Sequence, residues 1–123
     1  MARMTRGHLL DELRRFAFGF PGAYEDHPWG ESVAKVDGKV FVFFGVPDES
    51  GAHRALTVKL PESREMALSL PYAEVPGYRL GPAGWVTLKP PVDARRDLLE
   101  EWIEESYRAV ARKRRIAELD AAG

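Results

Sequence analysis

The stretch Val33–Phe44, VAKVDGKVFVFF, decides the fold. Two apolar-rich runs flank Asp37-Gly38, a pair that suits a tight hairpin because glycine accepts a positive φ and aspartate tolerates it. Side chains alternate along a strand. This predicts two apolar faces, with Val40, Val42 and Phe44 on one and Phe41 and Phe43 on the other. Such a hairpin is central to its sheet, with helices on one face and loops or a partner on the other.

Further elements are predicted on both sides of the hairpin. A helix capped by Thr5 opens the chain, and a structured loop or short edge strand follows, with Trp29 packed on the core and Glu25, Asp26 and His27 facing water. After the hairpin come a strand, Ala55–Leu60, a short helix after Pro61 and a final short strand, Trp85–Leu88. The apolar set of the short helix is Met66, Ala67, Leu68 and Leu70.

The last predicted helix is the longest, from near Asp93 to about Ile116, and residues 117–123 are expected to be a frayed tail. The breaker-rich residues 72–84 are expected to include a protruding loop before Trp85. We therefore predict a single α+β domain over residues 1–123. Its antiparallel sheet is packed by helices at the N-terminus, in the middle and at the C-terminus.

Composition excludes several classes of protein. The 123 residues include 18 Lys+Arg and 19 Asp+Glu, a net charge of -1 that offers no global field for nucleic acid. The absence of cysteine excludes disulfides and thiolate metal sites. Neither a signal-peptide core nor a run of ~20 apolar residues occurs, which predicts a cytoplasmic protein without a membrane segment.

No catalytic constellation is visible. His8, His27 and His53 are dispersed and predict no metal site, the glycines form no phosphate loop, and the serines have no nucleophile-elbow context. Asp26 beside His27 is the one candidate for an oriented imidazole. We expect a protein that is not an enzyme and needs no cofactor.

Charge is segregated along the last helix. Acidic residues fill its first half, and the second half is basic, with Arg108, Arg112, Lys113, Arg114 and Arg115. This order complements the helix dipole, which explains it structurally. The alternative explanation is functional: the Arg-rich end of the helix binds phosphates.

The order of short motifs resembles the MmcQ/YjbR family over about a hundred residues. The motifs are Phe20-Pro21-Gly22, Glu25-Asp26, Pro28-Trp29-Gly30, a hairpin with Lys35 and Lys39, Leu56-Thr57-Val58-Lys59, Pro76-Gly77-Tyr78, Trp85 and Ser106-Tyr107. This resemblance implies a CyaY-like fold, a small bacterial cytoplasmic protein and DNA binding through a double-wing arrangement.

One departure from the family bears on DNA binding. The loop before the Trp is usually polar with Lys, Asn or His in the family, whereas here it reads Gly81-Pro82-Ala83-Gly84, which removes phosphate contacts from a wing tip. The candidate DNA-binding residues are then those on the sheet or its exits: Lys35, Lys39, Lys59, Arg79 and Lys89, with Trp85 for stacking.

The alternative is a non-enzymatic protein-interaction or small-ligand-binding domain. Its candidate residues form a concave aromatic surface from Tyr24, Trp29, Tyr78 and Trp85. An apolar outer sheet face also suits a homodimer partner. A contiguous basic face favours DNA, whereas cations alternating with acidic residues favour the second interpretation.

Overall fold

The computed structural model describes residues 5–77 and 79–122. Six strands form one open antiparallel sheet in the order β1-β2-β3-β4-β6-β5. The strands are β1 Tyr24–Asp26, β2 Ser32–Val36, β3 Lys39–Gly45, β4 Leu56–Lys59, β5 Ala73–Glu74 and β6 Trp85–Leu88. The helices are α1 Arg6–Phe18, α2 Arg64–Leu68, α3 Arg96–Val110 and α4 Lys113–Ala122. The predicted α+β class with an antiparallel sheet is confirmed.

The central hairpin forms as predicted. Asp37 and Gly38 both have positive φ, 53° and 80°, and join β2 to β3 in a two-residue turn. The Thr5 cap of α1 is also confirmed, because its side chain accepts a hydrogen bond from the His8 amide.

The alternation predicted for β3 is wrong at Phe41. Lys35 pairs with Val40 and Ala34 pairs with Val42, so Phe41 has no partner on β2 and forms a β-bulge. The bulge turns Phe41 into the helix-covered core, where its ring contacts Tyr107 with centroids 5.3 Å apart. Phe43 stays on the opposite face and meets Trp85 at 5.2 Å.

Ser106 of α3 bridges the two strands beside the bulge. Its buried hydroxyl donates to the Phe41 carbonyl at 2.5 Å and accepts from the Lys59 amide at 2.8 Å. One hydroxyl thus satisfies a donor on β4 and an acceptor on β3 that no ladder hydrogen bond joins. Tyr107, the next residue, donates to the Pro21 carbonyl at 2.7 Å and stacks on Phe20. Ser106 therefore joins α3 to the sheet, and Tyr107 joins α3 to the turn that follows α1.

The end of the chain differs from the prediction. The long helix stops at Val110, Ala111 takes an extended ψ of 149°, and α4 follows as a separate helix. Residues 117–122, predicted to fray, belong to α4. Leu119 packs against the core, and Asp120 accepts a hydrogen bond from Arg108 at 2.7 Å, which together hold this helix in place.

Two further predictions about packing are wrong. Met66 is 60% exposed because the five-residue α2 turns only Ala67 fully into the core. Trp29 is 99% exposed at the turn between β1 and β2, although it was predicted to pack on the core. Its φ of 56° is left-handed, a backbone region that bulky residues rarely adopt.

The loop before Trp85 folds back on itself and does not protrude as a wing. Leu80 accepts hydrogen bonds from the amides of Ala83 and Trp85, and the Gly84 carbonyl accepts one from Leu60. Gly81 is buried, and a Cβ there would lie 2.5 Å from Val75 Cγ1. Glycine at this position leaves room for the Val75 side chain in the compact turn.

Candidate nucleic-acid interface

Two of the predicted sheet cations are already paired with carboxylates. Lys35 Nζ lies 2.7 Å from Asp26, whose hydrogen bond raises the pKa of Lys35. Lys89 Nζ lies 3.1 Å from Glu74. Each pair cancels a charge that would attract phosphate, so these lysines are poorly placed for a polyanion.

The other predicted cations are separated from one another. Lys59 is half-buried on the outer face, meaning the face away from α1 and α3, and pairs across the strands with Trp85. Arg79 is exposed in the loop after β5, with a left-handed φ of 65°. Lys39 is exposed at the start of β3. The sheet thus carries cations alternating with acidic groups.

The predicted aromatic surface is only partly described. Tyr24 is exposed on edge strand β1, Trp29 projects into solvent, and Trp85 is buried against Phe43. The prediction for Tyr78 lies outside the described residues. Buried Trp85 presents little ring surface to a base, whereas Trp29 is fully available.

The imidazole of His27 is not oriented by Asp26. The hydrogen bond to the Asp26 carboxylate comes from the His27 backbone amide at 2.8 Å. The ring Nε2 lies 3.7 Å from Glu25, which is itself held by Arg14 and Ser32. The hydrogen bonds of Asp26 and Glu25 therefore hold the connection between β1 and β2 in place.

An ion pair brings a second group of cations to the hairpin turn. Arg115 Nε donates to Asp37 Oδ1 at 3.3 Å, and the Asp37 side chain is only 6% exposed. Burial raises the pKa of Asp37, but the Arg115 hydrogen bond and the Arg112 backbone amide more than offset this and lower it. The carboxylate therefore stays charged and anchors α4 to the turn.

Glycine at position 22 makes room for this anchor. A Cβ on Gly22 would lie 2.7 Å from Arg115 Cζ, and the residue has a φ of +71°. The arginine thus lies against the turn that follows α1 as well as the hairpin. Three separate parts of the chain meet at its guanidinium.

We call the exposed cations around this contact the basic corner; its members are Lys39, Arg112, Lys113 and Arg114. Lys39 begins β3 directly after the Asp37-Gly38 turn, and Arg112, Lys113 and Arg114 immediately precede Arg115 in the chain. Among the described residues none of the four forms an ion pair. Arg108 and Arg115, by contrast, are paired with Asp120 and Glu118.

The sequence predicts that Arg112, Lys113 and Arg114 lie on one long helix, and it does not predict that they lie near Lys39. The break at Ala111 and the Asp37–Arg115 contact are tertiary features without a local signal. The segregation of acidic and basic residues along the last predicted helix is the one sequence feature that indicates a basic end of the chain.

The fold and this surface define a small α+β domain with an open antiparallel sheet, helices on one face and a localised basic surface. The YjbR family model matches residues 18–109, and the chain belongs to the YjbR family. A similar solved structure is that of Deinococcus radiodurans protein DR2400, a DUF419-domain protein. It has 25% sequence identity and a TM-score of 0.68, covering 96% of this chain and 92% of that one.

No curated protein matches the chain. Of the helices in the described residues, none has the length and apolar character needed to cross a bilayer. Arg112, Lys113 and Arg114 lie just beyond the part matched by the family model. A function assigned to the basic corner therefore rests on the residues of this chain.

Proposed function

We propose that the protein binds DNA weakly and without sequence preference through the basic corner, and that it does so as a cytoplasmic protein without enzymatic activity. The observation that carries this proposal is the Asp37–Arg115 ion pair, which brings the cation-rich start of α4 next to the hairpin turn that Lys39 follows. Phosphate contacts of this kind supply most of the affinity in non-specific binding.

The number of cations sets the number of phosphate contacts. Lys39 and the three cations beside Arg115 supply at most four contacts, and successive phosphates of one strand are spaced about 3.4 Å apart along the axis. Lysine and arginine both bind phosphate oxygens, arginine with two parallel hydrogen bonds. Because the whole chain has a net charge of -1, attraction is confined to this surface and falls steeply with salt.

The position of these cations in α4 also supports a binding role. Lys113 and Arg114 occupy the first turn, where the helix dipole disfavours positive charge, and that turn contains no acidic residue. Basic residues at the C-terminal end of one long helix would interact favourably with its dipole. Because the helix ends at Val110, Lys113 and Arg114 do not gain this interaction. Binding an anion offsets the unfavourable charge.

Fluorescence-anisotropy titration of labelled duplex and single-stranded DNA tests the proposal. The corner variant replaces Arg112, Lys113 and Arg114 by Gln, and the comparison variant on the sheet is Lys35→Glu/Lys59→Glu, which changes net charge by −4 against −3 for the corner variant. We expect binding at low salt that is lost in the corner variant and largely kept in the sheet variant. If the corner variant binds DNA as tightly as the parent, the basic corner is not the binding site. If only the sheet variant loses binding, the binding site is on the sheet.

A second candidate function is protein interaction with a homodimer partner, and Trp29 favours it. An indole that is 99% exposed and held in a left-handed conformation buries almost no surface against the described residues, and tryptophan is enriched at interface hot spots. Sedimentation velocity over a range of concentrations tests this function. A dimer that is lost in Trp29→Ser supports it, and a monomer at every concentration rejects it.

A further inference from the structure

A pocket on the outer sheet face lies apart from the basic corner. It has a volume of about 550 Å³, within the range of small-molecule sites. Phe43 and the Thr57 and Thr87 side chains form its floor, and Val75 and Leu80 contribute to its apolar wall. The two threonine hydroxyls hydrogen-bond each other at 2.7 Å, so the floor leaves little unsatisfied polarity.

The charged groups of this pocket are both acidic. Glu31 stands just before β2, and Glu74 lies on β5. Glu74 is neutralised by Lys89, whereas the half-buried Glu31 carboxylate forms no ion pair in the described part of the chain. No Lys or Arg is among the described lining residues, so the Glu31 carboxylate is the uncompensated charge of this lining and attracts a cation.

The dimensions limit the shape of an occupant. Glu31 and Glu74 are separated by four strand spacings in the sheet order, about 19 Å. A volume of about 550 Å³ is sufficient for one aromatic ring or aliphatic chain with a polar end group.

We propose that this pocket binds a small organic monocation, an ammonium group on an aromatic or aliphatic body. The ammonium group lies at Glu31, and the apolar body lies over Phe43 and against Leu80. This site is independent of the basic corner and serves a different class of ligand. Its occupant is excluded from the corner by charge.

Three probes that share one skeleton test the proposal: 2-phenylethylammonium, neutral 2-phenylethanol and anionic 3-phenylpropionate. Each is titrated into the full ¹⁵N-labelled chain, and binding is followed by amide chemical shifts. We expect the cation to bind most tightly, with the largest shifts at Gly45 and Ala55, which line the end of the pocket near Glu31. An anion that binds as tightly, shifts that map elsewhere, or no binding of any probe in the millimolar range overturns the proposal.

Two variants separate the charge from the cavity. Glu31→Gln is expected to weaken the cation about fivefold and leave the alcohol unchanged. Glu101→Gln, on α3 across the sheet, changes net charge equally and is expected to have no effect. Ala55→Leu narrows the pocket and is expected to weaken the cation and the alcohol together. A Glu31→Gln protein that keeps the full preference for the cation also contradicts the proposal.

Discussion

Replacing Ser106 by alanine removes the hydroxyl that joins β3 to β4 beside the bulge. The substitution leaves the Phe41 carbonyl without its 2.5 Å hydrogen bond and the Lys59 amide without its 2.8 Å hydrogen bond. Each buried group left unsatisfied costs about 1–3 kcal/mol, and the higher helix propensity of alanine returns about 0.5 kcal/mol. We therefore expect a net loss of about 3 kcal/mol in the free energy of unfolding.

Urea denaturation followed by circular dichroism measures this loss, and thermal unfolding is expected to show a Tm lower by roughly 10 °C. Ser69→Ala is the matched control, because within residues 5–77 and 79–122 that exposed hydroxyl forms a single hydrogen bond, to the Met66 carbonyl of its own turn at 2.6 Å. The control is expected to lose at most about 0.5 kcal/mol. A loss below about 1 kcal/mol for Ser106→Ala refutes the bridging role, as does an equal loss in the control.

Three further substitutions give distinct outcomes. Trp29→Asn is expected to raise the free energy of unfolding by about 1 kcal/mol, because asparagine accepts the left-handed backbone and no buried surface is lost; a lower urea midpoint contradicts this. Lys113→Gln/Arg114→Gln is expected to keep or slightly raise stability by relieving charge at the start of α4, and a marked loss of helicity by circular dichroism opposes this. The lowered pKa of Asp37 stabilises the fold above its ordinary value of 3.8, and this contribution is lost as pH falls through the lowered value. Asp37→Asn is therefore expected to flatten the acid dependence of Tm below about pH 4, and an unchanged pH profile shows that the Arg115 pair does not stabilise the fold.

Local patterns were sufficient to predict the elements that local chemistry determines. Asp37-Gly38 specifies its turn through two positive φ angles, and Thr5 caps α1 through its own side chain. Strand β6 was predicted from a run of β-forming residues between breakers. Each of these signals acts within a few residues, which is why the sequence reveals it.

Features set by distant contacts were not predictable. The Phe41 carbonyl at the bulge accepts its hydrogen bond from Ser106, which is 65 residues away, and no glycine or proline marks the helix break at Ala111. The exposure of Trp29 has no sequence signal, since an aromatic residue in a loop ordinarily packs on the core.

The candidate interface was also predictable only in part. The sequence showed which residues are basic, but it did not show that Lys35 and Lys89 face carboxylates. The meeting of Lys39 with the α3–α4 connection follows from a pair 78 residues apart, Asp37 and Arg115. Charge patterning along a chain therefore identified the cations, and tertiary structure determined which of them share a surface.

The salt dependence of DNA affinity tests the basic corner most directly. The slope of log K against log salt reports the number of phosphates neutralised, at about 0.9 per contact on duplex DNA. We predict a slope near −3 to −4 for the parent protein and a slope shallower by about 2 to 3 for the corner variant, with the sheet variant nearly unchanged. Parent and corner variant sharing one slope would contradict the account.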